Sequence, residues 1–132
     1  MASDPAWLLV VEPDLIVRHP LAEYLRECGY KVLEAADGDE AVTLLTDAKV
    51  QVDLMLCDIH TPGSFDGFAL SRWVRENAPQ TKVILAGTTE AAAKRAGELC
   101  EDGPELRKPY DHQLLLDRIK RLLAARDRNQ PR

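Results

Sequence analysis

Short apolar runs alternate with amphipathic stretches along the whole chain. Trp7 to Val11 (WLLVV) is continuously apolar, as expected for a strand that is buried on both faces. Comparable short runs predict four further strands, and the last of them is the weakest. The five predicted strands cover residues 7–11, 31–35, 52–57, 82–86 and 104–107.

Between these runs, apolar residues recur at the spacing of a helix. Gly29 stands where the first helix should stop, and Asp111 stands where the last should be capped. The predicted helices cover residues 14–28, 41–48, 68–77, 89–100 and 111–126. Strict alternation of strand and helix predicts one doubly wound α/β domain with a five-stranded parallel sheet. We expect this single domain to span 1–132, with a core over 7–125 and a fraying charged tail over 126–132.

Composition narrows the class of protein. The 132 residues suit one domain, and the net charge of −5 argues against direct binding of nucleic acid. No apolar run approaches the length of a membrane span, and residues 1–5 lack the pattern of a signal peptide. We therefore predict a cytoplasmic protein without a membrane partner. Its cysteines, Cys28, Cys57 and Cys100, lack metal-site spacing and are predicted to be reduced thiols in or near the core.

The residues that follow the strands carry the candidate chemistry. In a parallel sheet the carboxyl ends of the strands share one edge, and that edge forms the site. The segments that reach it are Glu12-Pro13-Asp14, Asp58, Gly87-Thr88-Thr89 and Lys108-Pro109.

Clustered carboxylates repel one another unless a cation neutralises them, and an oxygen-rich, partly hydrated site suits Mg²⁺. A carboxylate beside a divalent cation and a lysine can attack a phosphoryl group. Asp58 is thus the candidate nucleophile, although an aspartate in this position also serves as an ordinary turn residue. Glu12 and Lys108 have the corresponding alternatives of a solvated loop acid and a surface lysine. Cys57 is expected to pack in the strand.

At these residues the chain resembles the receiver domains of two-component response regulators. The matching stretches occur in the family's order: VVE at 10–12, AADGDEAV at 35–42, CDIHTPGSFDGFAL at 57–70 and RKPY at 107–110. The resemblance covers about 7–125 and implies a flavodoxin-like (βα)5 fold. It also implies that a histidine kinase or phosphotransfer protein donates a phosphoryl group to one aspartate. A member of this family catalyses only its own phosphoryl transfer and dephosphorylation, so we do not expect an enzyme.

The resemblance also implies individual roles. Asp58 matches the phosphoacceptor, and Glu12 matches the first acid of the pair that places Mg²⁺. His60 matches the position whose backbone carbonyl binds the metal ion. Lys108 matches the lysine that pairs with the phosphoryl group.

Three positions depart from the family pattern. Pro13 occupies the place of the second acid, which predicts a weakened Mg²⁺ site. Asp14 is most simply the cap of the first helix, and the alternative is that it supplies the missing carboxylate. Gly87 occupies the place of a hydroxyl residue, with Thr88 one position late, and Glu105 replaces an aromatic residue that moves on activation.

The leading hypothesis is therefore a single-domain receiver that signals by docking another protein through the face formed by 89–125. The alternative is a pseudo-receiver that binds partners without phosphorylation, because its switch residues are degenerate. A flavin or nucleotide binder ranks far below both, since no glycine-rich phosphate loop follows the first strand.

Overall fold

The computed structural model describes residues 6–47, 49–104 and 111–129. Its strands form one parallel sheet in the order β2-β1-β3-β4. They are β1 (Trp7–Val11), β2 (Lys31–Ala35), β3 (Leu54–Asp58) and β4 (Lys82–Ala86). The doubly wound prediction is confirmed, but the described part of the sheet has four strands rather than five. Of the predicted fifth strand, only Pro104 is described, and it lies in a bend; the remaining positions fall outside the described residues.

Five helices connect and follow these strands. They are α1 (Leu15–Glu27), α2 (Gly38–Thr46), α3 (Gly67–Asn77), α4 (Thr89–Glu101) and α5 (His112–Asn129). Side chains cap the first four of these helices, since Asp14, Asp37, Asp66 and Thr88 each accept a hydrogen bond from an amide of the first turn. The predicted fraying from Arg126 is wrong as far as Asn129, because α5 continues to that residue.

The helices cover the two faces of the sheet unequally. One core joins α2 and α3 to alternate residues of β1 and β3, among them Leu9 and Met55. The other core joins α1, α4 and α5 to the opposite side chains, such as Leu8 and Leu56. A right-handed crossover from β4 to a strand beyond it would place α4 beside α3. Instead α4 packs against α1 and α5, on the other face.

Two cysteines close a long-range link on that second face. Cys28 and Cys100 form a disulfide with their Cα atoms 5.3 Å apart and a separation of 72 positions in sequence. The prediction of three reduced thiols is therefore wrong for this pair. It rested on cysteine spacing along the chain, which does not reveal that α1 and α4 end side by side. Cys57 remains a free, buried thiol.

None of the helices in the described part of the chain is both long enough and apolar enough to cross a membrane.

Candidate functional site

Asp58 is the last residue of β3 and stands half-buried at the carboxyl edge of the sheet. Its Oδ1 accepts a hydrogen bond of 3.0 Å from the backbone N–H of His60. Its backbone carbonyl accepts a hydrogen bond from the hydroxyl of Thr61. These bonds fix the turn after the strand and leave the carboxylate facing the adjacent pocket.

Glu12 directly follows β1, the strand next to β3. Its backbone N–H donates to the carbonyl of Ala35, and Arg18 donates to its carbonyl at 2.9 Å. Its carboxylate accepts a short hydrogen bond from the amide of Asp14. Burial raises the pKa of Glu12 to about 7, the Asp14 amide opposes this rise, and the nearby Asp58 carboxylate adds to it. The two acids thus form an interacting pair whose full ionisation is unfavourable without a cation.

The two residues after Glu12 have different surroundings. Pro13 is exposed and has no carboxylate to offer. Asp14 caps α1 through a 3.0 Å hydrogen bond from the amide of Ile16. Both of its carboxylate oxygens also lie 2.9 Å from Nη1 of Arg126 on α5. The predicted cap is therefore present, and the carboxylate is already engaged by an amide and a guanidinium group.

The end of β4 also lacks a free hydroxyl in the expected place. Gly87 has no side chain, and a Cβ there would lie 3.4 Å from Cδ1 of Ile59, close to ordinary contact. Thr88 is exposed, and its Oγ1 accepts a 3.0 Å hydrogen bond from the amide of Ala91. The hydroxyl one place late in the sequence is thus used to cap α4.

These groups surround a pocket of about 130 Å³ at the edge of the sheet. Its polar lining comes from Glu12, Asp58, His60, Gly87, Thr88 and Thr89. The sequence-based prediction that strands β1, β3 and β4 bring their following residues together is confirmed for these positions. Lys108 was predicted to complete the site, and Glu105 to stand in place of the aromatic residue of the family; both lie outside the described residues.

The donor set of the pocket suits a hard cation, though not a complete protein cage. Glu12 and Asp58 supply carboxylate oxygens, the type of ligand that Mg²⁺ prefers. Across 6–47, 49–104 and 111–129, no group of three or more acidic, histidine or cysteine side chains is placed to hold a metal ion. A cation bound by the two acids would therefore need water and backbone oxygens for most of its coordination shell.

Sequence reasoning missed two residues that support the site. At Gly67, the first residue of α3, a Cβ would lie 2.7 Å from the carbonyl oxygen of Asp58 and from the Cα of Ile59. Only glycine allows this approach, and the Asp66-Gly67 pair is the signal that a turn leading into a capped helix was present. Arg126 was missed because it was assigned to a fraying tail, and its partner lies 112 positions away.

Comparison with protein families matches residues 8–120 to the response regulator receiver domain. The aerobic respiration control protein ArcA of Escherichia coli (strain K12) is 31% identical over 117 residues, which are 89% of this chain and 48% of that protein. The sensor kinase CckA of Brucella abortus is 32% identical over 95% of this chain and 13% of that protein. The chain therefore spans about half the length of ArcA and a much smaller part of the kinase.

Solved structures agree with this similarity. A putative response regulator from Chloroflexus aurantiacus has a TM-score of 0.57 at 31% identity, with 91% of this chain and 98% of that one covered. The chemotaxis response regulator CheY4 of Vibrio cholerae has a TM-score of 0.58 at 25% identity, with 89% and 98% covered.

Proposed function

This chain belongs to the family of response regulator receiver domains, and we propose that it accepts a phosphoryl group on Asp58. The donor would be a histidine kinase or a phosphotransfer protein. The phosphorylated chain would then signal by docking another protein through the face formed by 89–125. The observation that carries the proposal is the paired Glu12 and Asp58 carboxylates, which share a pocket at the carboxyl edge of the sheet.

The proposed reaction uses the Asp58 carboxylate as nucleophile. One of its oxygens attacks the phosphorus of the donor phosphohistidine, an O–P bond forms, and the P–N bond to the imidazole breaks. The backbone N–H of His60 orients the carboxylate, because it donates a hydrogen bond to Oδ1 of Asp58. Lys108, which lies outside the described residues, is proposed to pair with the transferred phosphoryl group.

Glu12, Asp58 and the backbone carbonyl of His60 are the proposed ligands of Mg²⁺. When bound, the cation screens the negative charge that gathers on the transferring oxygens. Glu12 must lose its proton to act as a ligand, and its raised pKa makes that loss incomplete at neutral pH. Together with Pro13 in the place of a second acid, this supports a weak cation site.

A second candidate function is a pseudo-receiver that binds its partners without phosphorylation. Three features favour it: Pro13 offers no carboxylate, Gly87 offers no hydroxyl, and the hydroxyl of Thr88 is engaged in capping α4. In this case the fold and its docking face persist while the phosphoryl chemistry is lost.

Intact mass spectrometry separates the two candidates. The protein is incubated with acetyl phosphate over a range of Mg²⁺ concentrations. We expect a mass gain of one phosphoryl group that requires Mg²⁺ and disappears in Asp58→Asn. Asp66→Asn is the matched control, because asparagine keeps the cap of α3 and the Asp66 carboxylate does not line the pocket. Wild-type protein that gains no mass at any Mg²⁺ concentration would refute phosphoryl transfer to Asp58 and favour the pseudo-receiver instead.

A further inference from the structure

The disulfide between Cys28 and Cys100 joins the carboxyl ends of α1 and α4. Cys28 is the residue that ends α1, and Cys100 lies in the last turn of α4. Cys28 is fully buried, whereas Cys100 retains 7% of its surface. Both cysteines thus belong to the buried core, and Cys100 is the more accessible of the two.

Further contacts around the disulfide hold the ends of the two helices close together. The hydroxyl of Tyr30, just beyond α1, donates a 2.6 Å hydrogen bond to the carbonyl of Leu99 on α4. A Cβ on Gly103 would lie 2.7 Å from the carbonyl oxygen of Cys28, so the chain leaving α4 passes directly over the end of α1. The disulfide thus lies within a closely packed contact between the ends of the two helices.

The rest of α4 meets its neighbours mainly through small side chains. Its buried residues are Ala92, Ala93, Ala96, Gly97 and Cys100. Alanine and glycine bury little apolar area, so each contributes less free energy than a leucine or isoleucine would. The disulfide therefore adds a covalent link to a helix that packs mostly through small side chains, on the face it shares with α1 and α5, and this is not the face a right-handed crossover would favour.

The amino end of the same helix borders the candidate site. Thr88, Thr89 and Ala92 line the pocket that contains Asp58. A 13-residue α-helix is about 20 Å long, so the disulfide and the pocket lie at opposite ends of a single element.

We propose that the Cys28–Cys100 disulfide is a reversible redox latch, which holds α4 against α1 when oxidised and releases it when a dithiol opens the bond. A thiolate of the dithiol attacks Sγ of Cys100, the Sγ–Sγ bond breaks, and Cys28 leaves as a thiolate that takes up a proton. The second thiol of the reductant then resolves the mixed disulfide and frees Cys100. Two electrons and two protons pass to the cysteines, and the dithiol becomes a disulfide. The latch is independent of whether Asp58 accepts a phosphoryl group.

Thiol alkylation in denaturant followed by intact mass gives the first test. We expect one alkylated cysteine, Cys57, in protein equilibrated with oxidised glutathione, and three after treatment with dithiothreitol. Re-exposure to oxidised glutathione should restore the count to one. Three free thiols in the oxidised sample, or reduction that occurs only in denaturant, would overturn the latch.

Hydrogen exchange measured by mass spectrometry gives the second test. On reduction we expect amides of α4 to accelerate at least about tenfold more than amides of β1 and α3, because local release of α4 adds to the loss of global stability that all three elements share. The Cys28→Ser/Cys100→Ser variant should match the reduced protein, and Cys57→Ser should match the oxidised one. Unchanged exchange in α4 would refute the proposal. An equal acceleration in β1 and α3 would also refute it, because the bond would then be a global staple.

Discussion

Replacing Asp14 separates its role as a helix cap from a role as a metal ligand. Asp14→Ala removes the cap of α1, worth about 1 kcal/mol, together with the ion pair to Arg126. The side chains of that pair are 31% and 40% exposed, so the pair contributes only about 0.5 kcal/mol. We therefore expect Asp14→Ala to lower the free energy of unfolding by about 1.5 kcal/mol.

Asp14→Asn tests the ion pair alone, because asparagine caps a helix as well as aspartate does. Asp14→Asn and Arg126→Gln should each cost about 0.5 kcal/mol, and the double variant should cost little more than either. Urea unfolding at low ionic strength measures the free energy of unfolding of the wild type, the two single variants and the double variant. Added salt should reduce the loss of stability in the single variants. Arg121→Gln, at another exposed position of α5, is the control for loss of a charge on that helix.

The same variants report on the metal ion. Because an amide and a guanidinium group already engage the Asp14 carboxylate, Asp14→Asn should leave the Mg²⁺ affinity within about twofold of wild type. Tryptophan fluorescence during a Mg²⁺ titration measures this affinity. A tenfold weaker affinity in Asp14→Asn, with Arg126→Gln unchanged, would show that Asp14 leaves its cap to bind the cation, and our reasoning would be wrong.

Three further predictions follow from the geometry. The pKa of Glu12 is raised from 4.5 to about 7 in the folded protein, so the folded state holds this proton more tightly than the unfolded state does. Without Mg²⁺, the free energy of unfolding of the wild type should therefore fall as the pH rises from about 4.5 through about 7. Glu12→Gln should remove this loss, which we put at about 1 kcal/mol because the side chain is half-exposed and screened; equal pH profiles in urea unfolding would contradict the prediction. Gly67→Ala should destabilise the protein by about 2 kcal/mol because its Cβ meets backbone at 2.7 Å, while Gly87→Ala should change thermal unfolding little; similar effects of the two would argue against the close contact. Reduction of the disulfide, which spans 72 residues, should lower the free energy of unfolding by about 4 kcal/mol, and a loss below about 1 kcal/mol would show that the reduced chain compensates for it.

The elements of the fold were largely predictable because their signals are local. Short apolar runs gave the bounds of β1, β2 and β4 as the structure has them, and Asp14 marked the start of α1 as its cap, whereas α2 begins at Gly38 rather than at the predicted Ala41. The convergence of Glu12 and Asp58 was also predictable. Parallel strands bring their carboxyl ends to one edge whatever the side chains are, so residue order alone places these acids together.

The features that were missed depend on contacts between distant parts of the chain. The partners Asp14 and Arg126 are separated by 112 positions, and Cys28 and Cys100 by 72. No periodicity records such pairs, and composition favoured reduced thiols. The face on which α4 packs could not be predicted either, since its alanine-rich sequence suits either face of the sheet.

Two unusual features of this receiver, the missing hydroxyl directly after β4 and the disulfide, both concern α4. In the resemblance to the family, a hydroxyl after β4 binds the phosphoryl oxygen, but here that place is Gly87 and the next hydroxyl caps α4. If Thr88 turned towards a phosphoryl group on Asp58, the amide of Ala91 would lose its partner and the first turn of α4 would loosen. That cost, about 1 kcal/mol for a threonine cap, opposes the turn, and in the proposed latch the disulfide at the other end of α4 would keep the helix from shifting to reduce it. Phosphorylation and opening of the disulfide would therefore both loosen α4, one at its amino end and the other at its carboxyl end. The rotation of Thr88 should accordingly be easier in the reduced protein than in the oxidised one.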